Sequence, residues 1–372
     1  MYLSATEPGW RNALTGGFYP LTVSAVRHDI RDALTVTLDA PPEWKPLFQF
    51  VQGQHLNVRA QLNGAEVRRS YSICSAVPDG LLRIAIKRVP GGIFSNWSND
   101  TLRPGCTLEV MPPTGGFHLP LSPANAKHYL GIAAGSGITP VFSILKTTLL
   151  TEPKSRFTLF FGNRASSTVM FRDELADLKD EFMERLTLVH ITSRERQDLE
   201  LFNGRITGAK CKELLKQWCP VEDVDAVFLC GPPSMMDDLT AMLQGEGVPA
   251  SHIKMELFSA PNPAPRAIRR VTPAIHSKAC EVKFILDGAE HVVHMDPAKE
   301  SILDAGLADR LDLRYSCKSG VCGTCRCKKL EGEVDMDAHY ALEDYEIARG
   351  FILACQSYPV SDRVVVDFDR DT

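Results

Sequence analysis

The sequence lacks the features that mark membrane, secreted and nucleic-acid-binding proteins. Its longest uncharged stretch, His128–Leu145, is interrupted by three glycines and a proline, so we expect no membrane-spanning segment. A charged-then-apolar signal segment is absent, and no run of five basic residues occurs in a chain of net charge −5. The eleven cysteines are dispersed over 372 residues, unlike those of a small disulfide-linked domain. These absences predict a cytoplasmic protein that binds neither a membrane nor nucleic acid.

The patterns that are present indicate several domains. A chain of 372 residues with 44% apolar content is too long for one ordinary core. From about Tyr19 to Phe117, short stretches alternate apolar and polar residues, as antiparallel strands do; beyond Tyr129, apolar strands alternate with helix-like segments, as in a parallel α/β sheet. A proline-rich stretch then has the composition of a linker. We therefore expect a barrel over residues 1–122, an α/β domain over 123–259, a linker over 260–273 and a further domain over 274–372.

Four cysteines of the C-terminal region have an informative spacing. Cys317, Cys322 and Cys325 follow the pattern C-x4-C-x2-C, and Cys355 stands further along the chain. This is the plant-type arrangement that holds a [2Fe–2S] cluster. A zinc site is the alternative, but zinc sites usually contain two close pairs of ligands, and only one C-x2-C occurs here. Cys327 falls outside the pattern and is either a buried small side chain or a substitute fourth ligand.

The predicted barrel contains two motifs whose order and spacing are informative. Arg68–Cys74 reads RRSYSIC, and Lys87–Ser95 reads KRVPGGIFS. They resemble the R-x-Y-S and G-G-x-x-S motifs with which the ferredoxin–NADP reductase superfamily binds FAD. The resemblance implies that Arg69 pairs with the FAD pyrophosphate, that Tyr71 stacks on the isoalloxazine, and that Ser72 offers its hydroxyl to flavin N5. It also implies that the turn formed by Gly91, Gly92 and Ser95 binds phosphate oxygens.

The predicted α/β domain contains three further motifs of the same superfamily. The run YLGIAAGSGITP places a Gly-x-Gly turn directly after an apolar strand and before a probable helix, where the backbone can approach a cofactor phosphate. CGPPSMM resembles the C-G-P motif, and the resemblance puts its cysteine beside the nicotinamide. ELF resembles the closing E-x-F segment near the flavin. The cofactor-binding residues implied in this domain are Gly135, Gly137, Thr139, Cys230 and Phe258, and those implied in catalysis are Tyr71, Ser72, Cys230 and Glu256.

The segment ITSRERQ bears on the choice of dinucleotide. An acidic residue at a strand end binds the ribose 2′-OH of NADH, whereas arginine there accommodates the 2′-phosphate of NADPH. This chain offers Ser193, Arg194 and Arg196, with Glu195 among them. The S-R-E stretch resembles the NADP-preferring reductases, which implies NADPH bound by Ser193 and Arg194. Glu195 keeps the NADH alternative open.

The order of the domains resembles that of the reductases of multicomponent oxygenases. The resemblance implies an antiparallel FAD-binding β-barrel, a parallel α/β nucleotide-binding domain and a C-terminal β-grasp [2Fe–2S] ferredoxin domain. Electrons would enter as hydride from NADPH onto FAD and leave singly through the cluster to a diiron oxygenase of aromatic catabolism. The alternatives are a reductase for another oxygenase, or for a hybrid-cluster or respiratory acceptor. A redox sensor is the non-enzymatic alternative.

The charges around the cysteine loop suggest where an acceptor docks. Between Leu313 and Leu330 every charged residue is basic, although the C-terminal region as a whole is acidic. We therefore expect a positive rim around the loop that meets an acidic patch on the oxygenase. The rim would consist of Arg314, Lys318, Arg326, Lys328 and Lys329.

Overall fold

The computed structural model describes residues 17–258 and 280–370. These form two compact units, one over 20–258 and one that contains 280–370. The predicted linker, 260–273, lies outside the described residues. Within the described ranges, no helix combines the length and the apolar character that a bilayer crossing requires. The stretch His128–Leu145 instead forms a buried strand, a short turn and the first part of a helix.

The first half of the larger unit is a six-stranded antiparallel barrel, as predicted. Its strands run in the order β4-β3-β6-β1-β2-β5, and a bridge between Ile73 and Ile84 joins the end of β4 to β5 and closes the sheet. One helix, α1 (Ile93–Thr101), follows β5. The strands are β1 (Tyr19–Ile30), β2 (Ala33–Asp39), β3 (His55–Leu62), β4 (Ala65–Ser72), β5 (Leu82–Lys87) and β6 (Thr107–Val110).

The second half is a five-stranded parallel sheet with helices on both faces, which confirms the predicted α/β domain. The strand order is β11-β10-β7-β8-β9. The first strand of this domain, β7, therefore lies at the centre, and the chain adds later strands on one side of it and then on the other. Two buried clusters fill the two faces of this sheet. The elements are β7 (His128–Ala134), α2 (Ile138–Thr151), β8 (Arg156–Asn163), α3 (Arg172–Glu181), β9 (Leu186–Thr192), α4 (Gly208–Trp218), β10 (Ala226–Cys230), α5 (Pro233–Gly245) and β11 (Ile253–Glu256).

The barrel and the parallel sheet are joined by polar contacts that are partly buried. Arg83 of β5 donates two hydrogen bonds to Glu174 of α3, at 3.1 and 2.8 Å, and Arg27 pairs with the same carboxylate. Ser143 of α2 donates to the Ser75 carbonyl at 2.7 Å. A bidentate guanidinium–carboxylate pair fixes orientation as well as distance. The two halves therefore hold one geometry.

The C-terminal unit is a mixed sheet crossed by a short helix, a β-grasp arrangement. Its strand order is β13-β12-β18-β14-β16, with β12 and β18 parallel and a separate β15–β17 pair. Helix α6 packs against the sheet around a core of its own. The elements are β12 (Cys280–Leu286), β13 (Ala289–Met295), α6 (Ile302–Ala308), β14 (Arg326–Glu331), β15 (Val334–Met336), α7 (Asp344–Ala348), β16 (Phe351–Leu353), β17 (Ser357–Pro359) and β18 (Arg363–Asp367).

Candidate active site and metal centre

Three predicted residues meet at the carboxyl edge of the parallel sheet. The register pairs Cys230 with Ala133 on one side and with Glu256 on the other. A Cβ added at Gly137 would lie 2.1 Å from the Cys230 carbonyl oxygen, so only glycine fits there. Gly135 has φ +55, which favours glycine as well. The Gly-x-Gly turn therefore abuts the C-G-P turn between β7 and β10, the reversal point at which such sheets bind ligands.

The barrel contributes Ser72 to the same place. Ser72 is the last residue of β4, and its hydroxyl donates a hydrogen bond of 2.7 Å to Oε2 of Glu256. His55, at the start of β3, places Nδ1 4.0 Å from the other oxygen, Oε1. Tyr71 precedes Ser72 in the strand. Residues separated by more than 180 positions in the sequence thus form one contiguous site at the junction of barrel and sheet.

Burial sets the protonation of this site. The Glu256 side chain is 12% exposed, and burial raises its pKa to about 7, against a smaller lowering by the Ser72 hydrogen bond. Cys230 is fully buried, and its pKa lies well above the usual value because of burial and, secondarily, the nearby Glu256. The site therefore contains a neutral thiol and a carboxyl group that gains or loses a proton near neutral pH.

The residues predicted to hold FAD lie along one side of the barrel. The Tyr71 ring is 5.8 Å from that of Phe94, and burial raises the pKa of its hydroxyl. Arg69 is exposed two positions earlier in the same strand. The turn before α1 contains Gly91, with φ +72 and open space where a Cβ would stand. An exposed cation and an open glycine turn at a helix start fit a pyrophosphate.

Ser95 and Thr139 each make a hydrogen bond that stabilises the glycine turn beside them. Ser95 is buried, and its hydroxyl accepts a hydrogen bond of 3.1 Å from the Val89 backbone N–H. The Ser95 side chain therefore stabilises the glycine turn by a hydrogen bond to its backbone. Thr139 does the same in the sheet domain, since its hydroxyl donates to the Ser136 carbonyl at 3.0 Å. Phe258 is 47% exposed at the end of the first described range.

The residues predicted to select the dinucleotide follow β9 directly. Ser193, Arg194 and Arg196 are exposed. Both oxygens of Glu195 accept hydrogen bonds of 2.6 Å from Ser166, one from its backbone N–H and one from its hydroxyl. These bonds hold the pKa of Glu195 below its usual value. The carboxylate is thus engaged by the neighbouring loop, while the arginines are accessible.

Sequence reasoning places one further polar residue, Asn163, near the cofactor but assigns it no role. Asn163 ends β8, and neither polar atom of its buried side chain has a hydrogen-bond partner within the part of the chain that the structure describes. Its backbone carbonyl accepts from the Ser193 N–H at 2.9 Å. A buried amide without partners fits a nucleotide-binding edge, because a dinucleotide offers both donors and acceptors. Asn163 stands in the sequence FFGNR at residues 160–164, but the burial of its side chain is visible only in the fold.

The four predicted cluster cysteines come together in two pairs. The thiols of Cys317 and Cys322 are hydrogen-bonding neighbours, and so are those of Cys325 and Cys355. In the described ranges, no three His, Cys, Asp or Glu side chains converge on a single ion position. Two pairs of thiols suit the two irons of a [2Fe–2S] cluster, each of which needs two protein ligands. Cys327 lies in β14, fully buried and outside both pairs.

Additional donors surround the cysteine loop. The Ser319 N–H donates to Cys317 Sγ at 3.4 Å, and the Thr324 hydroxyl donates to Cys322 Sγ at 3.1 Å. Gly320 has φ +76, and a Cβ there would lie 2.9 Å from the Ala338 carbonyl oxygen. Donors directed at sulfur and a loop that admits only glycine fit a cluster of negatively charged sulfur ligands.

Comparison with known proteins agrees with these sites. Family models match three parts of the chain: an oxidoreductase FAD-binding domain over residues 22–119, an oxidoreductase NAD-binding domain over 132–241, and a 2Fe-2S iron-sulfur cluster binding domain over 284–360. Each of the three predicted redox groups therefore has a matching domain.

Similar proteins extend over nearly the whole chain. One component of the 1,2-phenylacetyl-CoA epoxidase of Escherichia coli is 44% identical over 95% of this chain and 98% of that protein. The ferredoxin reductase component of 3-ketosteroid-9-alpha-monooxygenase from Rhodococcus rhodochrous is 35% identical over 94% and 96%. Among solved structures, phthalate dioxygenase reductase is 26% identical over 95% of this chain and 98% of that one, with a TM-score of 0.55. The chain therefore belongs to the family of FAD- and NAD-binding oxidoreductases with a [2Fe–2S] ferredoxin domain that act as reductase components of oxygenases.

Proposed function

We propose that this chain carries electrons from NADPH to the diiron oxygenase of a phenylacetyl-CoA epoxidase. The observation that carries the proposal is the 44% identity to a component of that enzyme, over 95% of this chain. The 3-ketosteroid monooxygenase reductase, at 35%, is less similar over the same length. The eleven cysteines are all free, which supports a place in the reducing cytoplasm.

The proposed roles in hydride transfer follow from the junction of barrel and sheet. When bound, FAD accepts hydride from the nicotinamide, and the cluster passes single electrons onward. Tyr71 would hold the flavin through its ring, and Ser72, whose hydroxyl donates to Glu256, would be available to the flavin from the end of β4. Glu256 holds or releases a proton near neutral pH, because burial raises its pKa to about 7. Cys230 remains a neutral thiol beside the nicotinamide. Since the hard chemistry belongs to the cofactors, no general-base triad is needed.

The proposed binding residues fall into three groups, one for each redox group. The FAD phosphates are bound by a guanidinium and by the turn before α1, and Phe258 lies near the flavin. The nicotinamide dinucleotide runs over the Gly-x-Gly turn. The cluster is held by the two thiol pairs. The residues are Arg69, Gly91, Gly92 and Ser95 for FAD; Gly135, Gly137 and Thr139 for the dinucleotide; and Cys317, Cys322, Cys325 and Cys355 for the cluster.

NADPH is the proposed donor because of the charges that follow β9. Arg194 is exposed and suits a 2′-phosphate, with Ser193 beside it. The residue that would favour NADH, Glu195, accepts two hydrogen bonds from Ser166. A carboxylate held in this way is less available to a ribose 2′-OH. The exposed arginine and the engaged carboxylate therefore both favour NADPH over NADH.

Reconstitution tests the proposed function. The purified chain is combined with the oxygenase of a phenylacetyl-CoA epoxidase, NADPH and phenylacetyl-CoA, and NADPH oxidation is measured together with epoxide formation. We expect the two to rise together and to require the chain. Rapid reduction of cytochrome c without coupled turnover would indicate a reductase for a different acceptor. Slow reduction of cytochrome c as well would favour a redox sensor.

A further inference from the structure

The surface beside the cluster loop is acidic and aromatic. Residues 331–346 contain seven Asp and Glu residues and neither Lys nor Arg. Two tyrosines in this segment are strongly exposed, Tyr340 at 50% and Tyr345 at 60%. We call this surface the acidic face and define it by six exposed side chains, which are Asp335, Asp337, Tyr340, Glu343, Asp344 and Tyr345.

The acidic face lies directly on the loop that holds the cysteines. The Ala341 N–H donates to the Gly320 carbonyl at 3.1 Å, and a Cβ added at Gly323 would touch Ala341 at 3.5 Å. The Asp337 N–H donates to the Gln356 carbonyl at 2.9 Å, next to the fourth cysteine. The segment thus contacts both parts of the chain that supply the thiols. A partner bound to this face would be close to the cluster.

The cations expected to form a positive rim are largely engaged by this unit's own groups. Lys318 pairs with Asp304 at 2.9 Å. Arg326 pairs with Glu346 at 3.1 Å and stacks on the Phe351 ring, with its guanidinium carbon 3.9 Å from the centroid. Two further lysines make similar contacts: Lys328 lies over the Phe351 ring, and Lys329 donates to the Gly332 carbonyl. Asp304 and Glu346 offset the charges of Lys318 and Arg326, whereas Lys328 and Lys329 keep theirs, so the positive rim is weaker than a count of charges along the loop suggests.

We propose that the acidic face docks on a basic patch of the oxygenase, with Tyr340 as its central contact. This proposal rests on the proposed function and reverses the charge expected from the sequence. The seven acidic residues of this segment have no Lys or Arg between them in the sequence, although Arg326 pairs with Glu346 and Arg349 lies over the Tyr345 ring. A surface rich in carboxylates attracts a cationic surface over a distance of about 8 Å at physiological ionic strength. Exposed tyrosines supply large contact area at low entropic cost, as in other interfaces. Charge steers the encounter, and the aromatic ring holds the docked state.

Stopped-flow measurement of electron transfer tests the docking face. The full chain is reduced with NADPH and mixed either with the oxygenase or with cytochrome c, a basic one-electron acceptor, at several salt concentrations. The test variants are the double reversal Glu343→Lys/Asp344→Lys and the single change Tyr340→Ala. The control is Glu290→Lys, which makes the same kind of charge change on β13, the opposite edge strand of the sheet from β16.

We expect the double reversal to slow transfer to both acceptors by about tenfold at low salt and to flatten the salt dependence. Tyr340→Ala should slow transfer to the oxygenase at all salt concentrations. Reduction of the cluster by the flavin, recorded separately by mixing the oxidised chain with NADPH, should match the unmodified chain. Equal rates for the double reversal and Glu290→Lys would overturn the proposal. If the unmodified chain reduces cytochrome c but not this oxygenase, the proposed function fails, and the cytochrome c series still decides whether the acidic face is used.

Discussion

Replacing Glu256 by glutamine should stabilise the larger unit above neutral pH. Burial raises the pKa of Glu256 from 4.5 to about 7, so the folded state favours the protonated form. As the pH rises from about 4.5 to above 7, the wild-type carboxyl group of Glu256 must ionise in a site that disfavours its charge. One pKa unit corresponds to about 1.4 kcal/mol, so the wild type should lose up to about 3 kcal/mol relative to the glutamine variant between about pH 4.5 and pH 8. Below this window the difference between the two proteins should no longer depend on pH.

The assay is urea unfolding of the FAD-loaded full chain, followed by flavin fluorescence so that it reports on the larger unit. Unfolding is measured at several pH values from about 5 to about 8 for the wild type and for Glu256→Gln. Asp100→Asn serves as control, because Asp100 is an exposed partner of Arg88 and should show no difference that grows toward alkaline pH. A constant gap between wild type and Glu256→Gln across this range would refute the assignment of the raised pKa to Glu256.

Three further predictions concern the cluster, the dinucleotide and the interface. Cys355→Ser should abolish the visible spectrum of the cluster while ferricyanide reduction survives; a retained spectrum would identify Cys327 as a ligand. Arg194→Ala should lower kcat/KM for NADPH by about 10- to 100-fold, since a charged hydrogen bond contributes about 1.5–3 kcal/mol; an equal loss with NADH would contradict a 2′-phosphate contact. Arg83→Ala should destabilise the larger unit to urea by about 2–3 kcal/mol, because Glu174 loses a bidentate partner; an unchanged midpoint would contradict this.

Local sequence patterns were sufficient to predict the kinds of element and the order of the domains. Period-two alternation predicted the barrel strands, and apolar strands separated by helix-like segments predicted the parallel sheet. The spacing of Cys317, Cys322 and Cys325 predicted the cluster loop, because three ligands on a short loop are a local feature. In each case the informative residues lie close together in the sequence.

The features of the site that could not be predicted depend on contacts between distant parts of the chain. Nothing local shows that His55 approaches Glu256 or that Arg83 meets Glu174, since both pairs form only when the barrel packs against the sheet. The expectation of a positive rim around Lys318 also failed to include a contact with a distant residue. Sequence reasoning counts charges along the loop, whereas the compensating carboxylate of Asp304 comes from helix α6.

Glu256 shows how the site departs from the rules that stabilise the fold. A buried carboxyl group is ordinarily paired with a cation or held by several donors. Here burial dominates the pKa, and the opposing contribution comes from the Ser72 hydroxyl. Filling this position with an apolar side chain would remove the energetic penalty at neutral pH but would also remove the hydrogen bond that joins Ser72 of the barrel to the strand beside Cys230. A carboxyl group at such a position is expected to serve the reaction more than the fold. The pH dependence of flavin reduction should therefore change in Glu256→Gln even where its stability exceeds that of the wild type.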